Sequence, residues 1–292
     1  MRWLVGPLAL ATLLVTAPQT SARPLRIAYL GPSGTMLPLW MAKESGAFAR
    51  EGLEVEVISM MAAAAVPALI AGDIDAVEMS AVPVLTASLR GHDIVFVAGL
   101  LNTMIWDFYA RPETRPAELR GKLIGTDKPA TPVAYGTLVA LKRLGLAPKD
   151  VQLYPLGGSA QILAALLSGQ LAGGIAGPPQ SFALERAGFR SLVSLPDVPY
   201  QNVGIVIKRS RADELGDRLV SVLRAVRAGI TRYDADKALA FYRRAGFNPA
   251  LTISEAGIQE ILNFLQETVP EARQARPAQF FDDRVLRRVR RP

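Results

Sequence analysis

The 292-residue sequence contains no cysteine and one histidine, His92. The first absence excludes thiol nucleophiles, disulfides, iron–sulfur clusters and thiolate zinc sites, and the second excludes a multi-histidine metal centre. No catalytic residue, metal site or cofactor site is read from the sequence. Charged residues make up 20% and aromatics 7%, against 50% hydrophobic. That composition is globular, with material for one large domain or two of ordinary size. Basic residues exceed acidic ones by seven, but Arg284, Arg287, Arg288, Arg290 and Arg291 crowd the last nine positions. The remainder is mildly basic and shows no basic stripe interleaved with aromatics, so nucleic acid is not an expected partner.

Apolar runs long enough to span a bilayer are missing as well. The one candidate is Leu4 to Val15, twelve residues with Thr12 as their single polar member, where a spanning helix needs about 20. Met1-Arg2-Trp3 supplies a positive charge before it and Thr20-Ser21-Ala22 supplies small residues after it. This three-part pattern predicts an export signal over residues 1–22, cleaved after Ala22, and a soluble periplasmic product. No cysteine stands at the cleavage site to take a lipid anchor.

What the sequence does contain is a repeat. A gapless shift of 97 positions lays residues 26–83 over 123–180. Arg26-Ile27-Ala28-Tyr29-Leu30 falls on Leu123-Ile124-Gly125-Thr126-Asp127, and Ala68-Leu69-Ile70-Ala71-Gly72 falls on Ala165-Leu166-Leu167-Ser168-Gly169. Each copy reads strand, helix, strand, helix, strand. In the first copy Pro38–Phe48 is expected as one helix. In the second, Thr131 caps a helix with Pro132 as its first residue, and Ser159 caps the next. Alternating helices and short apolar strands imply parallel sheets covered on both faces, in two similar α/β lobes. A further strand, Val203–Ile207, precedes two amphipathic helices. Leu215, Leu219, Val222, Leu223, Val226 and Ile230 stripe the one opened by Ser210, and a Thr252/Glu255 capping box opens the other.

Ligands of open parallel sheets bind beyond the carboxyl ends of the strands, beside helix N-termini. In the first copy that rule selects Ser33, Gly34 and Thr35 of the first strand–helix loop, Ser59 and Ser80. In the second it selects Thr131, Pro132, Gly158, Ser159 and Gly177 with Pro178. The loop Gly31-Pro32-Ser33-Gly34 is no dinucleotide fingerprint, because the proline breaks the glycine pattern. Trp106, in the cluster Trp106-Asp107-Phe108-Tyr109 between the copies, and Asn202 lie where a cleft would be floored. Helix starts at Thr131 and Ser159 favour an anionic or carbonyl-bearing ligand head. Asp73 and Asp75 read as a helix-to-strand turn and His92 as a solvated loop residue.

Five segments carry a family resemblance. They are Leu37-Pro38-Leu39-Trp40-Met41-Ala42-Lys43-Glu44-Ser45-Gly46-Ala47-Phe48, Glu51-Gly52-Leu53-Glu54-Val55-Glu56, Leu119-Arg120-Gly121-Lys122-Leu123-Ile124-Gly125, Gly145-Leu146-Ala147-Pro148-Lys149-Asp150-Val151 and Ala165-Leu166-Leu167-Ser168-Gly169-Gln170. The chain resembles, over about residues 25–245, the periplasmic substrate-binding proteins of nitrate/sulfonate/taurine-type ABC importers, the SsuA/THI5-like group. The resemblance implies a type II periplasmic-binding-protein fold of two Rossmann-like lobes with a hinge. Residues 23–108 and 203–292 would form the first lobe and 109–202 the second, with crossings near Tyr109 and Asn202. It also implies a monomeric, non-enzymatic receptor of a small organic ligand, with an ABC permease and ATPase in the membrane as partners. Two alternatives stay open: an enzyme on the same fold, including the pyrimidine-synthesising branch, and a ligand-sensing partner of a membrane receptor. The missing cysteines speak against that branch.

Overall fold

A computed structural model describes residues 23–30, 34–129, 131–236 and 247–290. The expected export signal and Ser33, with Gly31 and Pro32, lie outside the described residues. Among the described residues ten strands follow one another. They are β1 (Leu25–Tyr29), β2 (Val55–Ser59), β3 (Ala76–Ser80), β4 (Ile94–Thr103), β5 (Asp107–Ala110), β6 (Leu123–Thr126), β7 (Gln152–Pro155), β8 (Gly173–Ala176), β9 (Arg190–Ser194) and β10 (Pro199–Lys208). They form two five-stranded sheets, ordered β2-β1-β3-β10-β4 and β7-β6-β8-β5-β9.

The two orders are the same arrangement twice. In each, the first strand of the repeat lies between the second and third and runs parallel to both, Leu25 opposite Val55 and Leu123 opposite Gln152. The starts of β2 and β7, of helices Ala62–Ala71 and Ser159–Leu167, and of β3 and β8 are each 97 positions apart. The fourth strand of each sheet breaks the expected all-parallel pattern. β10 is antiparallel to β3 and β4, and β5 is antiparallel to β8 and β9. Both are the strands on which the chain crosses between sheets, and a strand entering from the other sheet is free to run against its neighbours. The outward crossing falls between Thr103 and Asp107 and the return between Ser194 and Pro199.

Local signals explain the helix ends, with four departures from expectation. The helix expected over Pro38–Phe48 is two pieces, Leu37–Glu44 and Ala47–Arg50, because Gly46 takes a left-handed φ of 70° between them. Ser159 is the first residue of its helix and not the cap. Gly158 holds the cap position, with no side-chain bond, after two positive-φ glycines start the helix one residue early. Helix Glu255–Leu265 is capped by Ser254, which accepts from the Gly257 N–H at 3.0 Å; the Thr252 hydroxyl instead accepts from Asn248. Ser210 sits in a short 3-10 turn before helix Ala212–Asp236 and its N–H donates to Asp93. The stripe from Leu215 to Ile230 is buried throughout, as are Ile258, Ile261, Leu262 and Leu265, and both helices cover the first sheet's side of the molecule. Among the described residues no helix is long and apolar enough to cross a membrane.

Asp75 does more than turn the chain. It is 2% exposed, bound by the Arg23 and Arg211 guanidinium groups and by the Arg26 N–H, and so ties the described start of the chain to the far end of the first sheet. The arginine-rich end is likewise packed. Helix Arg284–Arg290 buries Val285, Leu286 and Val289 against helix Ala212–Asp236, while its arginines pair with Asp282, Asp283 and Asp217.

Candidate functional site

The central strands of the two sheets end facing one cleft of about 380 Å³. From the first sheet come Thr35 and Met36, Ser80 at the end of β3, and Asn202 and Val203 of β10; from the second come Pro132, Val133, Ser159, Gly177, Pro178, Pro179 and Gln180. Ile105 and Trp106 of the outward crossing floor it. Thr35, Ser80, Trp106, Pro132, Ser159, Gly177 and Asn202 are thus brought together, as is Pro178.

Four expected residues do not line it. Ser59 ends β2, an edge strand, and is exposed outside the lining. Gly34 begins a 3-10 turn one residue before the lining starts. Gly158 and Thr131 stand just behind the lining, each at a helix cap. Thr131 is fully used there, accepting from the Ala134 N–H at 3.2 Å and donating to the Lys128 carbonyl at 2.9 Å. Met36, Val133, Pro179, Gln180, Val203 and Ile105 were not singled out from the sequence. Each stands within a residue or two of one that was, which is the signal that locates them.

Ser80 and Ser159 differ from Thr131 in a way that matters for binding. Neither hydroxyl makes a cap bond, although Ser80 occupies the cap of helix Ala81–Leu89 and Ser159 the first position of its own helix. Helices Ala81–Leu89 and Ser159–Leu167 therefore start at the cleft without side-chain caps on their first N–H groups, and with the positive ends of their dipoles, while helix Pro132–Arg143 is capped by Thr131. The lining holds hydroxyls, amides and apolar groups and, among the described residues, no ionisable side chain. Such a surface stabilises an anionic or accepting group by N–H donation without a fixed counter-charge. No cluster of metal-ligating side chains occurs among the described residues.

Trp106 is held by close packing. A Cβ at Gly177 would meet the Ile105 carbonyl at 2.9 Å and the Trp106 ring at 3.0 Å, and one at Gly136 would meet the ring's other side at 3.3 Å. The indole is 8% exposed and meets Tyr200 edge-on at 6.3 Å; Tyr200 stacks on Tyr135 at 5.6 Å, and Tyr135 meets Phe264 at 5.0 Å. This row crosses from β10 to helix Pro132–Arg143 and back to helix Glu255–Leu265. Burial pushes the Tyr200 and Tyr135 phenols above their ordinary range, helped at Tyr135 by the Glu260 charge. Of the remaining cluster, Phe108 and Tyr109 are core to the second sheet, Tyr109 donating to Glu185 at 2.7 Å, and Asp107 accepts from Ser194. Asn202 is 4% exposed and its amide donates to the Thr103 carbonyl, bracing the two crossings together.

Among solved structures, the chain is similar to a protein of Bordetella bronchiseptica, at 22% identity over 91% of this chain and 96% of that one, with a TM-score of 0.70. It is similar to the periplasmic aliphatic sulphonate binding protein SsuA of Escherichia coli at 20% identity, covering 89% and 99%, with a TM-score of 0.68. The desulfurization enzyme DszB aligns at 15% identity over 91% and 98%, with a TM-score of 0.64. These likenesses show the periplasmic-binding-protein fold, and the last shows that enzymes also use it. No curated protein matches the chain. The family model described as NMT1/THI5 like matches residues 34–236, and the chain belongs to that family.

Proposed function

We propose that the protein is an extracytoplasmic solute receptor that closes on a small organic ligand and delivers it, as a monomer, to an ABC permease and ATPase. The observation that carries this reading is the cleft itself: one cavity whose polar groups come from strand ends and helix starts of both sheets. A ligand touching Ser80 and Ser159 together is bound fully only when the two sheets are close, so binding stabilises closure. In this reading the two sheets, each with its covering helices, move as two lobes about the crossings between Thr103 and Asp107 and between Ser194 and Pro199. The ligand's head is anionic or strongly accepting, set against the helix starts, and its apolar part lies on Trp106. SsuA of Escherichia coli is named for binding aliphatic sulphonates, which fits that head group. Residues 1–22 direct the chain to the periplasm and are removed.

A lining without ionisable side chains supports capture over catalysis, since general acid–base chemistry needs a titratable group within reach of the reacting atoms. The test is to purify the exported protein, release its small molecules by denaturation, identify them by mass spectrometry and titrate each back by calorimetry. One compound rebinding at one per chain, recovered chemically unchanged, supports the receptor. A compound that is converted on incubation would make the protein an enzyme.

A further inference from the structure

Beside the cleft, and sharing none of its lining residues, is a second cavity of about 440 Å³. Its apolar walls include Leu138 of helix Pro132–Arg143, Leu153 of β7 and Phe264 of helix Glu255–Leu265, so it too is bounded by elements of both sheets. Leu153 is 37% exposed on an edge strand whose four residues all face solvent. Leu138 and Phe264 are half-buried beside it, and apolar side chains gathered in a concavity, rather than scattered, mark a surface that gains by being covered.

The charges at this cavity are of one sign. Asp127, at the end of β6, and Glu267, just past helix Glu255–Leu265, are its ionisable lining residues. Neither forms an ion pair among the described residues; the Asp127 carboxylate accepts from the Lys128 N–H. Lys128 and Lys149 adjoin the cavity in sequence but do not line it. Apolar walls with two uncompensated carboxylates discriminate by charge: an organic cation gains from both, a neutral molecule from the walls alone, and an anion is repelled. The cleft, which has no ionisable lining and whose helix starts favour an anionic or accepting group, has nothing that selects a cation.

We infer that this cavity is a second ligand site, for a small organic ammonium whose apolar body packs on Leu138, Leu153 and Phe264 while its charge faces Asp127 and Glu267. Because Phe264 belongs to the first sheet's covering and Leu153 to the second sheet, an occupant bridges the two beside the Tyr135–Phe264 contact. Occupancy therefore favours the arrangement in which the sheets are together.

The test uses three probes of one apolar body, phenethylammonium, phenethyl alcohol and 3-phenylpropionate, titrated into the full-length exported protein by calorimetry and ligand-observed NMR. The ammonium should bind most tightly, the alcohol more weakly, and the carboxylate not detectably. Glu267→Gln should weaken the ammonium by about three- to fivefold, the size of one exposed charge pair, and leave the alcohol unchanged. Leu153→Lys, on an exposed edge where circular dichroism and thermal unfolding verify the fold, should abolish ammonium binding. The inference is overturned if the ammonium does not bind, if the carboxylate binds as well, or if both variants keep wild-type affinity. It is also overturned if Ser159→Ala alone removes ammonium binding, which would place the probe in the cleft. None of these failures touches the receptor reading, which rests on the other cavity.

Discussion

The Tyr135 hydroxyl donates to Glu260 Oε2 at 3.1 Å, joining a helix that starts in the cleft to a helix that covers the first sheet. Two residues before Tyr135, Val133 lines the cleft, so in the proposed closure the bond lies on the path from the ligand to the first sheet's covering. Tyr135→Phe keeps the stack on Tyr200 and loses the bond. It should cost about 0.5–1.5 kcal/mol of stability and make the unliganded protein more extended. Thermal unfolding and small-angle scattering read the two effects; unchanged scattering would mean that the bond does not hold the sheets together.

Glu78 sits at the centre of β3, fully buried, and neither carboxyl oxygen has a hydrogen-bond partner among the described residues. Burial pushes its carboxyl well above the usual range, and the nearby Leu39 N–H offsets only part of that. A carboxyl raised on folding contributes stability that is full below its unfolded value and lost as pH rises through its folded value. Glu78→Gln removes the titration, so the variant should gain on the wild type steadily from acid to alkaline pH. Urea midpoints across that range should diverge; parallel midpoints would show that Glu78 is not held neutral.

Asp75 titrates in the opposite sense. Burial raises its carboxyl, but the Arg26 N–H, Arg23 and Arg211 outweigh burial and leave it below its ordinary value. Its stability contribution is therefore present above the unfolded value and lost as pH falls through the folded one. Asp75→Asn should cost about 3 kcal/mol at neutral pH, the scale for breaking a buried charge pair. The deficit should shrink in acid, and a constant deficit would assign the loss to packing instead.

Thr131→Ala separates capping from binding. Its oxygen is committed to the Ala134 N–H, so the substitution should lower stability by about 1 kcal/mol and leave ligand affinity unchanged. An affinity loss without a stability loss would place Thr131 in the ligand's reach.

Much of this architecture is legible in the sequence because the repeat fixes spacing. Helices beginning at Ala62 and Ser159 and strands beginning at Ala76 and Gly173 keep their separation of 97, and the rule of strand carboxyl ends then finds Ser80, Ser159 and Gly177 without a motif. What is lost is what only tertiary pairing decides. β4 is a near-continuous apolar run, and nothing local states that its partner is β10, far along the chain and antiparallel to it. Ser59 obeys the same strand-end rule as Ser80, but β2 is an edge strand and β3 a central one. Ser159 and Thr131 look alike in sequence, yet the glycines before Ser159 take the cap and leave its hydroxyl uncommitted. A tryptophan on an amphipathic helix reads as a residue that packs the helix onto its sheet, and Trp40 does not. It stays 39% exposed, with its ring edge against Tyr29, while Pro38, Leu39 and Ala42 form the helix's buried face.

The central claim is that one ligand is held by both sheets at once, and a pair of single substitutions tests it most directly. Ser80→Ala lies on the first sheet's side of the cleft and Ser159→Ala on the second's, and neither hydroxyl makes a cap bond. Calorimetry with the compound recovered from the exported protein should show each variant binding about five- to tenfold more weakly, the worth of one hydrogen bond, at unchanged thermal stability. If either variant binds with wild-type affinity, the ligand is not gripped by that sheet and closure of the cleft is not how this protein captures it.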